Sequence, residues 1–343
     1  MTITVIKPGA LSQLQDLGRY GYQHFGVLVG GALDEWSHRF ANALVGNDQD
    51  LATVEITLTG PSLRFDRAMT IAVCGADLSP RLDGAGGTHA LPHGRPVHVA
   101  GGAELRFGAR VSGARAYLAV RGGFDVPLVM GSRSTYVRGG FGGFEGRALR
   151  KGDVLPVGPV PPGAGPSPVA LKENAASDRA ALTLSVPAVP IVAPAAAPAP
   201  VQTIRIIAGR HWDVFTREAR GLLLDAEFRL GAQSDRMGYR LEGPPLARAR
   251  QIEMISEAVT FGTVQVPPDG MPIILMADRQ TTGGYPKIAN VASVDLRLLA
   301  QMAAPQVLRF ELIALADAQR IYLAREREYS HVRQVLQRWR DEG

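Results

Sequence analysis

The sequence predicts a mainly β protein built in two halves, and three observations carry that expectation. Glycine (39) and proline (24) are both plentiful in 343 residues, which favours short strands joined by tight turns over a helical bundle. Short apolar segments bounded by turn residues recur along both halves. A proline-rich stretch, residues 156–200, separates them. It holds 11 of the 24 prolines and ends in Ala193-Pro-Ala-Ala-Ala-Pro-Ala-Pro200. Proline cannot donate to a ladder and biases the chain toward extended conformations, so this stretch reads as a semi-rigid linker or extended surface loop.

The elements follow in order. Strands are expected at Ile3–Ile6, Val54–Leu58, Met69–Val73, Val97–Val99, Glu104–Phe107 and Ala116–Val120. A helix fits Asp34 to Leu44, with Asp34 as a candidate N-cap and Trp36, Phe40, Ala43 and Leu44 on one face. The piece Ala181–Val186 can add a strand inside the proline-rich stretch. In the second half, strands are expected at Thr203–Ala208, Glu227–Leu230, Ile252–Ser256, Thr263–Val266, Ile273–Met276 and Leu308–Leu312, with helices at Trp212–Ala219 and Ser293–Met302. Short strands spaced by turns in each half suggest two β-barrel-like or sandwich domains. The tail from Leu315 to Trp339 has Arg and Glu at helical spacing with Ile321, Leu323, Val332 and Leu336, an amphipathic C-terminal helix. The resulting division is 1–155, the linker 156–200, 201–314, and a charged helix over 315–343.

Composition excludes several classes. Hydrophobic residues are 46% and charged residues 20%, ordinary for a soluble globular chain. The net charge of +5 is carried by arginine, which suits carboxylate or phosphate recognition and equally surface ion pairs. There is no basic block with interleaved aromatics, so nucleic-acid binding is not expected. The one cysteine, Cys74, lies in a candidate buried strand and reads as a small hydrophobe. The N-terminus lacks a basic region followed by an apolar one, and no window reaches the ~20 apolar residues of a membrane span. The expectation is a cytoplasmic protein with no membrane association.

The run Met276-Ala-Asp-Arg-Gln-Thr-Thr-Gly-Gly-Tyr-Pro-Lys-Ile288 carries the most chemistry. A short apolar strand ends in Asp278, Arg279, Gln280, Thr281 and Thr282, backed by Gly283-Gly284 and Tyr285. Polar groups at a strand end, next to glycines that let the backbone approach a ligand, can build a small-molecule site. The same pattern also fits a hairpin with a solvated tip. Three further clusters set Arg near Asp or hydroxyls: Gln15-Asp-Leu-Gly-Arg19, Gly131-Ser-Arg-Ser-Thr-Tyr136, and Ser234-Asp-Arg-Met-Gly-Tyr-Arg-Leu241. An Arg fork can hold a carboxylate in two parallel hydrogen bonds, and an Asp beside it can move a proton or orient the Arg. Each is also explained as an ion pair bracing a loop. His89 and His93 flank a proline-containing loop rather than a helix face, so no metal site is expected. A P-loop and a G-x-S-x-G elbow are absent from the sequence. Gly139-Gly-Phe-Gly-Gly-Phe-Glu-Gly146 fails the dinucleotide pattern and reads as a turn-forming loop or a mobile lid.

Together these clusters, with Leu44-Val-Gly-Asn47 and Gly262-Thr-Val-Gln-Val-Pro267, resemble the allophanate hydrolase subunit 2 family, also called the biotin-dependent carboxyltransferase family. The match runs from about residue 3 to about 312, leaving most of the proline-rich linker and the charged helix as additions. The resemblance implies two cyclophilin-like β-barrel domains. It implies three kinds of relative: the ATP-dependent 5-oxoprolinase, whose B and C subunits act with the A subunit to open 5-oxoproline to glutamate; the carboxyltransferase part of urea carboxylase, which passes a carboxyl group from carboxybiotin to urea; and a non-enzymatic regulator that binds a sporulation kinase inhibitor. In all three, such a chain partners a protein like the B subunit (allophanate hydrolase subunit 1-like), fused or separate. One departure stands out. Where the family reads Val-Pro-x-Ser-Gly-Ala-Met-Asp, this chain has Val27-Leu-Val-Gly-Gly-Ala-Leu-Asp34, without the proline and the serine.

The lead expectation is the C subunit of the 5-oxoprolinase, a hydrolase component that works only in a hetero-oligomer; the alternatives are a carboxyltransferase subunit acting on urea or a similar amide, and a non-enzymatic regulatory subunit that binds a B-subunit-like partner. ATP is used by the complex, with no ATP motif here. There is no biotin attachment segment, so carboxybiotin from a separate carrier enters only in the carboxyl-transfer reading. The site residues expected are Arg279 or Arg236 for the substrate carboxylate, and Gln280, Thr281 and Tyr285 for the lactam amide, with Thr282 and Gln265 as further substrate-binding residues. Asp278 or Asp235 would handle a proton, and Gly283 and Gly284 would shape the loop.

Overall fold

The computed structural model describes residues 1–160 and 199–342, with side chains as far as Arg338. The proline-rich stretch and its expected strand at 181–186 lie almost wholly outside the described residues. The chain divides into two compact units. The described residues of Met1–Leu17, Glu35–Ala197 and Glu328–Gly343 form one; those of Gly18–Asp34 and Pro198–Arg327 form the other. The segment 18–34, which precedes the first helix, thus belongs with the second unit.

The first unit contains β1 (Thr2–Lys7), β2 (Leu11–Gln15), α1 (Glu35–Val45), β3 (Thr53–Thr57), β4 (Ser62–Phe65), β5 (Met69–Asp77) and β6 (Arg81–Gly84). It continues with β7 (Gly87–Ala90), β8 (Pro96–Val99), β9 (Glu104–Arg106), β10 (Ser112–Val120) and β11 (Val154–Pro156). Two sheets result, ordered β11-β1-β4-β9-β6-β7 and β2-β3-β10-β5-β8. The alternation along each strand decides what each face meets. Ile3, Val5, Leu63, Phe65 and Leu105 of the first sheet share one core with Leu14, Val54, Ile56, Ile71, Val73 and Leu118 of the second. The opposite face of the second sheet includes polar groups, and Tyr117 donates to Glu55 Oε2 across it (2.8 Å).

Helix α1 packs on β5 and β10 and is buried from Ser37 to Val45. Its His38 is fully buried, and burial holds its pKa down at about 4. The ring is therefore neutral. Nε2 lies 2.9 Å from the Gln49 carbonyl, which can only accept, so Nε2 carries the proton and Nδ1 accepts from the Thr53 hydroxyl (2.8 Å).

The second unit contains β12 (Val201–Ala208), α2 (Arg217–Asp225), β13 (Phe228–Leu230), β14 (Gly238–Glu242), β15 (Glu257–Ala258), β16 (Thr263–Gln265) and β17 (Ile273–Leu275). It continues with β18 (Thr282–Gly283), β19 (Lys287–Val291), α3 (Leu296–Ala300) and β20 (Val307–Leu312). Seven strands close a barrel in the order β12-β19-β16-β17-β14-β13-β20. The closing pair β12–β20 is parallel and the other pairs are antiparallel. Closure removes free edges and encloses Ile204, Ile206, Phe228, Leu241, Val264, Val266, Ile274 and Ile288. Leu33, from the segment 18–34, is buried in this same core. Strands β15 and β18 form a separate two-stranded arm.

The expected mainly β architecture is present. Several elements differ in detail. The strand expected at Ile252–Ser256 is irregular, and pairing begins only at Glu257. Adjacent strands β14 and β17 already pair with each other, so this apolar stretch has no place in the ring and leaves Ile255 exposed. The helix expected from Trp212 begins as one 3-10 turn. It restarts at Arg217, where Thr216 Oγ1 accepts from Ala219 N (3.0 Å) as an N-cap. The C-terminal helix is continuous as α4 (Leu315–Glu342). Tyr329, Val332 and Leu336 bury one face of it. Tyr329 sits edge-on to Phe40 with the Arg39 guanidinium 3.9 Å from its ring centre.

Candidate functional site

Where β17 ends, Met276, Ala277 and Asp278 stay buried. Met276 N donates to Met237 O (2.9 Å) and Asp278 N to Arg236 O (2.8 Å), so the 235–238 and 276–279 turns run side by side. That places two of the four sequence clusters together. Arg236 Nε donates to Asp278 Oδ2 and Nη2 to Asp278 Oδ1, both at 2.9 Å, a bidentate pair. Arg236 Nη2 also donates to Gly31 O (2.6 Å), tying in the segment where this chain departs from the family pattern. Gly30, which stands in place of the patterned serine, has φ +66°, and a Cβ there would lie 3.7 Å from Asp278 Oδ1. Both Asp278 oxygens are engaged by Arg236. The pair is a brace between three segments of the second unit, and Arg236 spends its fork there.

Arg279 differs. Its guanidinium makes only long contacts, Nε to Val259 O and Nη1 to Met276 O and Ala277 O, each 3.4 Å. It is half-buried, and burial lowers its pKa against the pull of Tyr20 and Asp278. A partly desolvated fork with weak partners is suited to a carboxylate. Around it, Gln280, Thr282 and Tyr285 are exposed and Thr281 is half-buried. Thr281 O accepts from Val259 N (3.1 Å). Asp235 is exposed, and its Oδ1 accepts from Met237 N (2.8 Å) and Gly238 N (3.2 Å). That geometry shapes the turn.

Gln265 lies beneath the β15–β18 arm. It is buried, and its Nε2 has no hydrogen-bond partner among the described residues. Gly283 of β18 covers it so closely that a Cβ would come 2.2 Å from Nε2, which explains the first glycine of the pair. Gly284 has a Cβ position 3.5 Å from Ser256 Oγ, ordinary contact.

Three residues that sequence reasoning passed over complete this corner. Lys287, buried, is the Cα partner of Gln265 across β16–β19. Its Nζ reaches Gly283 O (3.2 Å) and Glu257 Oε2 (3.4 Å). His211 Nδ1 accepts from Lys287 N (3.3 Å). Burial lowers the His211 pKa, with Lys287 and Arg210 adding to it and Glu257 opposing. Glu257 is held below the usual carboxylate range: its partial desolvation raises the pKa, but the Lys287 hydrogen bond and the charges of Lys287, Arg210 and His211 outweigh it. The available signal was Lys287 itself. It is one of only four lysines in an arginine-rich chain, and it opens an apolar strand.

The other two clusters meet in the first unit. Asp16 accepts from Ser132 Oγ (2.7 Å), Ser134 Oγ (2.5 Å) and Arg133 N (2.5 Å), and Gln15 Nε2 donates to Thr135 O (3.2 Å). This is a loop clamp. The 139–146 stretch is folded against it and upon itself. A Cβ on Gly143 would overlap Thr135 Oγ1, one on Gly146 would overlap Gly140, and Tyr136 and Phe141 pack edge to face. Among the described residues, no helix is long and apolar enough to cross a membrane.

Residues 25–312 match the family model described as the carboxyltransferase domain, subdomain A and B. The chain is 35% identical to a protein named as the C subunit of 5-oxoprolinase from Escherichia coli (strain K12), over 99% of this chain and all of that one. It is 34% identical to a protein of the same name from Haemophilus influenzae, over 97% of this chain and 98% of the relative. Among solved structures, the K. lactis urea amidolyase superposes with a TM-score of 0.83 at 29% identity. The match covers 96% of this chain but only 20% of that much longer one.

Proposed function

This chain belongs to the carboxyltransferase-domain family (subdomains A and B), and we propose that within it the chain serves as the C subunit of an ATP-dependent 5-oxoprolinase, opening the lactam of 5-oxoproline to glutamate together with the A and B subunits. The observation that carries this reading is the likeness to two relatives named as 5-oxoprolinase C subunits, at 34% and 35% identity over nearly all of those proteins.

In this reading the Arg279 fork takes the substrate carboxylate. Gln280, Thr281, Thr282 and Tyr285 line the rim where the lactam amide would lie. Asp278 acts through Arg236: the pair fixes the loop that presents Arg279 and holds the segment 18–34 by Gly31 O. Asp235 stays outside the chemistry, engaged in its own turn. ATP is a substrate of the whole complex. The one glycine-rich candidate in this chain, residues 139–146, does not fit a phosphate. Gly143 packs against Thr135 and Gly146 against Gly140, and Glu145 sits there paired with Arg147 at 2.5 Å.

The test is reconstitution. The chain should co-purify with a protein of the B-subunit type, and activity of the assembly should be unaffected by avidin. The likeness to urea amidolyase favours a second reading, carboxyl transfer to urea from carboxybiotin on a separate carrier. Avidin-sensitive carboxylation of urea would establish that one and displace the first.

A further inference from the structure

We infer that Gln265 and Lys287 form a two-donor site for the carbonyl oxygen of a small amide-type ligand, a lactam or a urea, which the β15–β18 arm closes in this structure. The inference deepens the reading above and rests on it only for the choice of a lactam as ligand.

The two side chains are brought together by register. Gln265 and Lys287 are Cα partners at a register shift between Val264 and Gln265. Val264, Val266 and Ile288 face the barrel core, so Gln265 and Lys287, which alternate with them, face away from it. Both are buried there. Gln265 Nε2 has two hydrogens and no acceptor among the described residues, an arrangement native interiors avoid unless something else supplies the acceptor. Lys287 has three donors and two acceptors, both at long distance.

Both of those acceptors belong to the arm. Gly283 O stands 3.2 Å from Lys287 Nζ and Glu257 Oε2 stands 3.4 Å from it. The Gly283 carbonyl thus occupies the place of a ligand's carbonyl. The arm itself is slight: its ladder pairs Glu257 with Gly283 and Ala258 with Thr282, extended by Val259 N to Thr281 O. When it parts, a ligand oxygen replaces Gly283 O on Lys287 and gains the idle Gln265 N–H. Glu257 is not stranded, because Arg210 lies 3.6 Å from its other oxygen.

Charge selects the ligand class. Lys287 is matched by Glu257, and His211, whose Nδ1 accepts from Lys287 N, is shifted toward the neutral form. Arg210 is largely exposed and screened. A neutral carbonyl that accepts hydrogen bonds, and that gains negative charge when attacked, suits this corner better than a second anion beside Glu257.

The experiment titrates the full chain with two half-ligands: 2-pyrrolidinone, which carries the lactam carbonyl alone, and cyclopentanecarboxylate, which carries the carboxylate alone. Lys287→Met should weaken 2-pyrrolidinone roughly tenfold or more and leave cyclopentanecarboxylate unchanged. Glu257→Gln removes the competing anion from the latch and should tighten 2-pyrrolidinone, which a merely damaged fold cannot do. Absence of 2-pyrrolidinone binding to the wild-type chain, equal binding by Lys287→Met, or weakening by both variants alike would each overturn the inference. A complex that releases no glutamate, in a protein whose 2-pyrrolidinone binding still needs Lys287, would remove the 5-oxoprolinase reading and leave this site standing.

Discussion

Replacing Asp278 with alanine should unfold the second unit more readily than any surface ion-pair change. The two side chains of the Arg236–Asp278 pair are 9% and 10% exposed, so the guanidinium left behind would be buried without its carboxylate. Breaking a buried pair from one side costs about 3–5 kcal/mol, against about 0–1 kcal/mol for an exposed pair. Part of that cost arises because the same Nη2 holds Gly31 O, so the segment 18–34 loosens as well. Urea denaturation, followed by the fluorescence of Trp212 beside the barrel core, measures the difference. The double change Arg236→Met with Asp278→Leu should recover most of the loss, because apolar residues of similar volume need no partner. If Asp278→Ala costs under about 1 kcal/mol, or if the double variant is no better than the single one, the brace argument is wrong.

Three other outcomes are expected. His38, with a folded pKa of about 4 against 6.5 in the unfolded chain, is kept neutral by the fold. The unfolded state therefore binds the extra proton as pH falls from 6.5 to 4, and roughly 3 kcal/mol of stability is lost across that window; denaturation midpoints at pH 5 and 7.5 should differ less in His38→Gln than in the wild type. Gly283→Ala should displace the arm, since its Cβ would sit 2.2 Å from Gln265 Nε2, costing about 1–3 kcal/mol and speeding amide exchange at residues 281–283. Tyr329→Ala should cost about 2–4 kcal/mol by calorimetry, because the ring fills the contact between α4, Phe40 and Arg39.

The strands with unbroken apolar alternation were legible: Val54 and Ile56, Ile71 and Val73, Thr263 to Val266 and Ile273 to Met276 all lie in or beside strands that build the cores. Strands that read as turns, such as Gly238–Glu242 and Gly87–Ala90, were not, because their pairing comes from long-range register rather than from their own residues. At the candidate site, the sequence names candidate residues but does not disclose who partners whom. An Asp-Arg dipeptide suggests a local pair. Here Arg236 reaches 42 positions along the chain to Asp278, while its neighbour Asp235 turns back on its own loop. Gln265 was legible only through its motif. Lys287, Glu257 and His211 come from three separate strands or turns, and nothing local marks them as neighbours.

The central claim is tested most directly by ATP-dependent release of glutamate from 5-oxoproline, using this chain mixed with the A and B subunits of the enzyme and omitting each in turn. The account predicts full activity only in the complete mixture, lost when this chain is left out and weakened in KM when Arg279→Ala replaces it. Glutamate release that continues without this chain would contradict it.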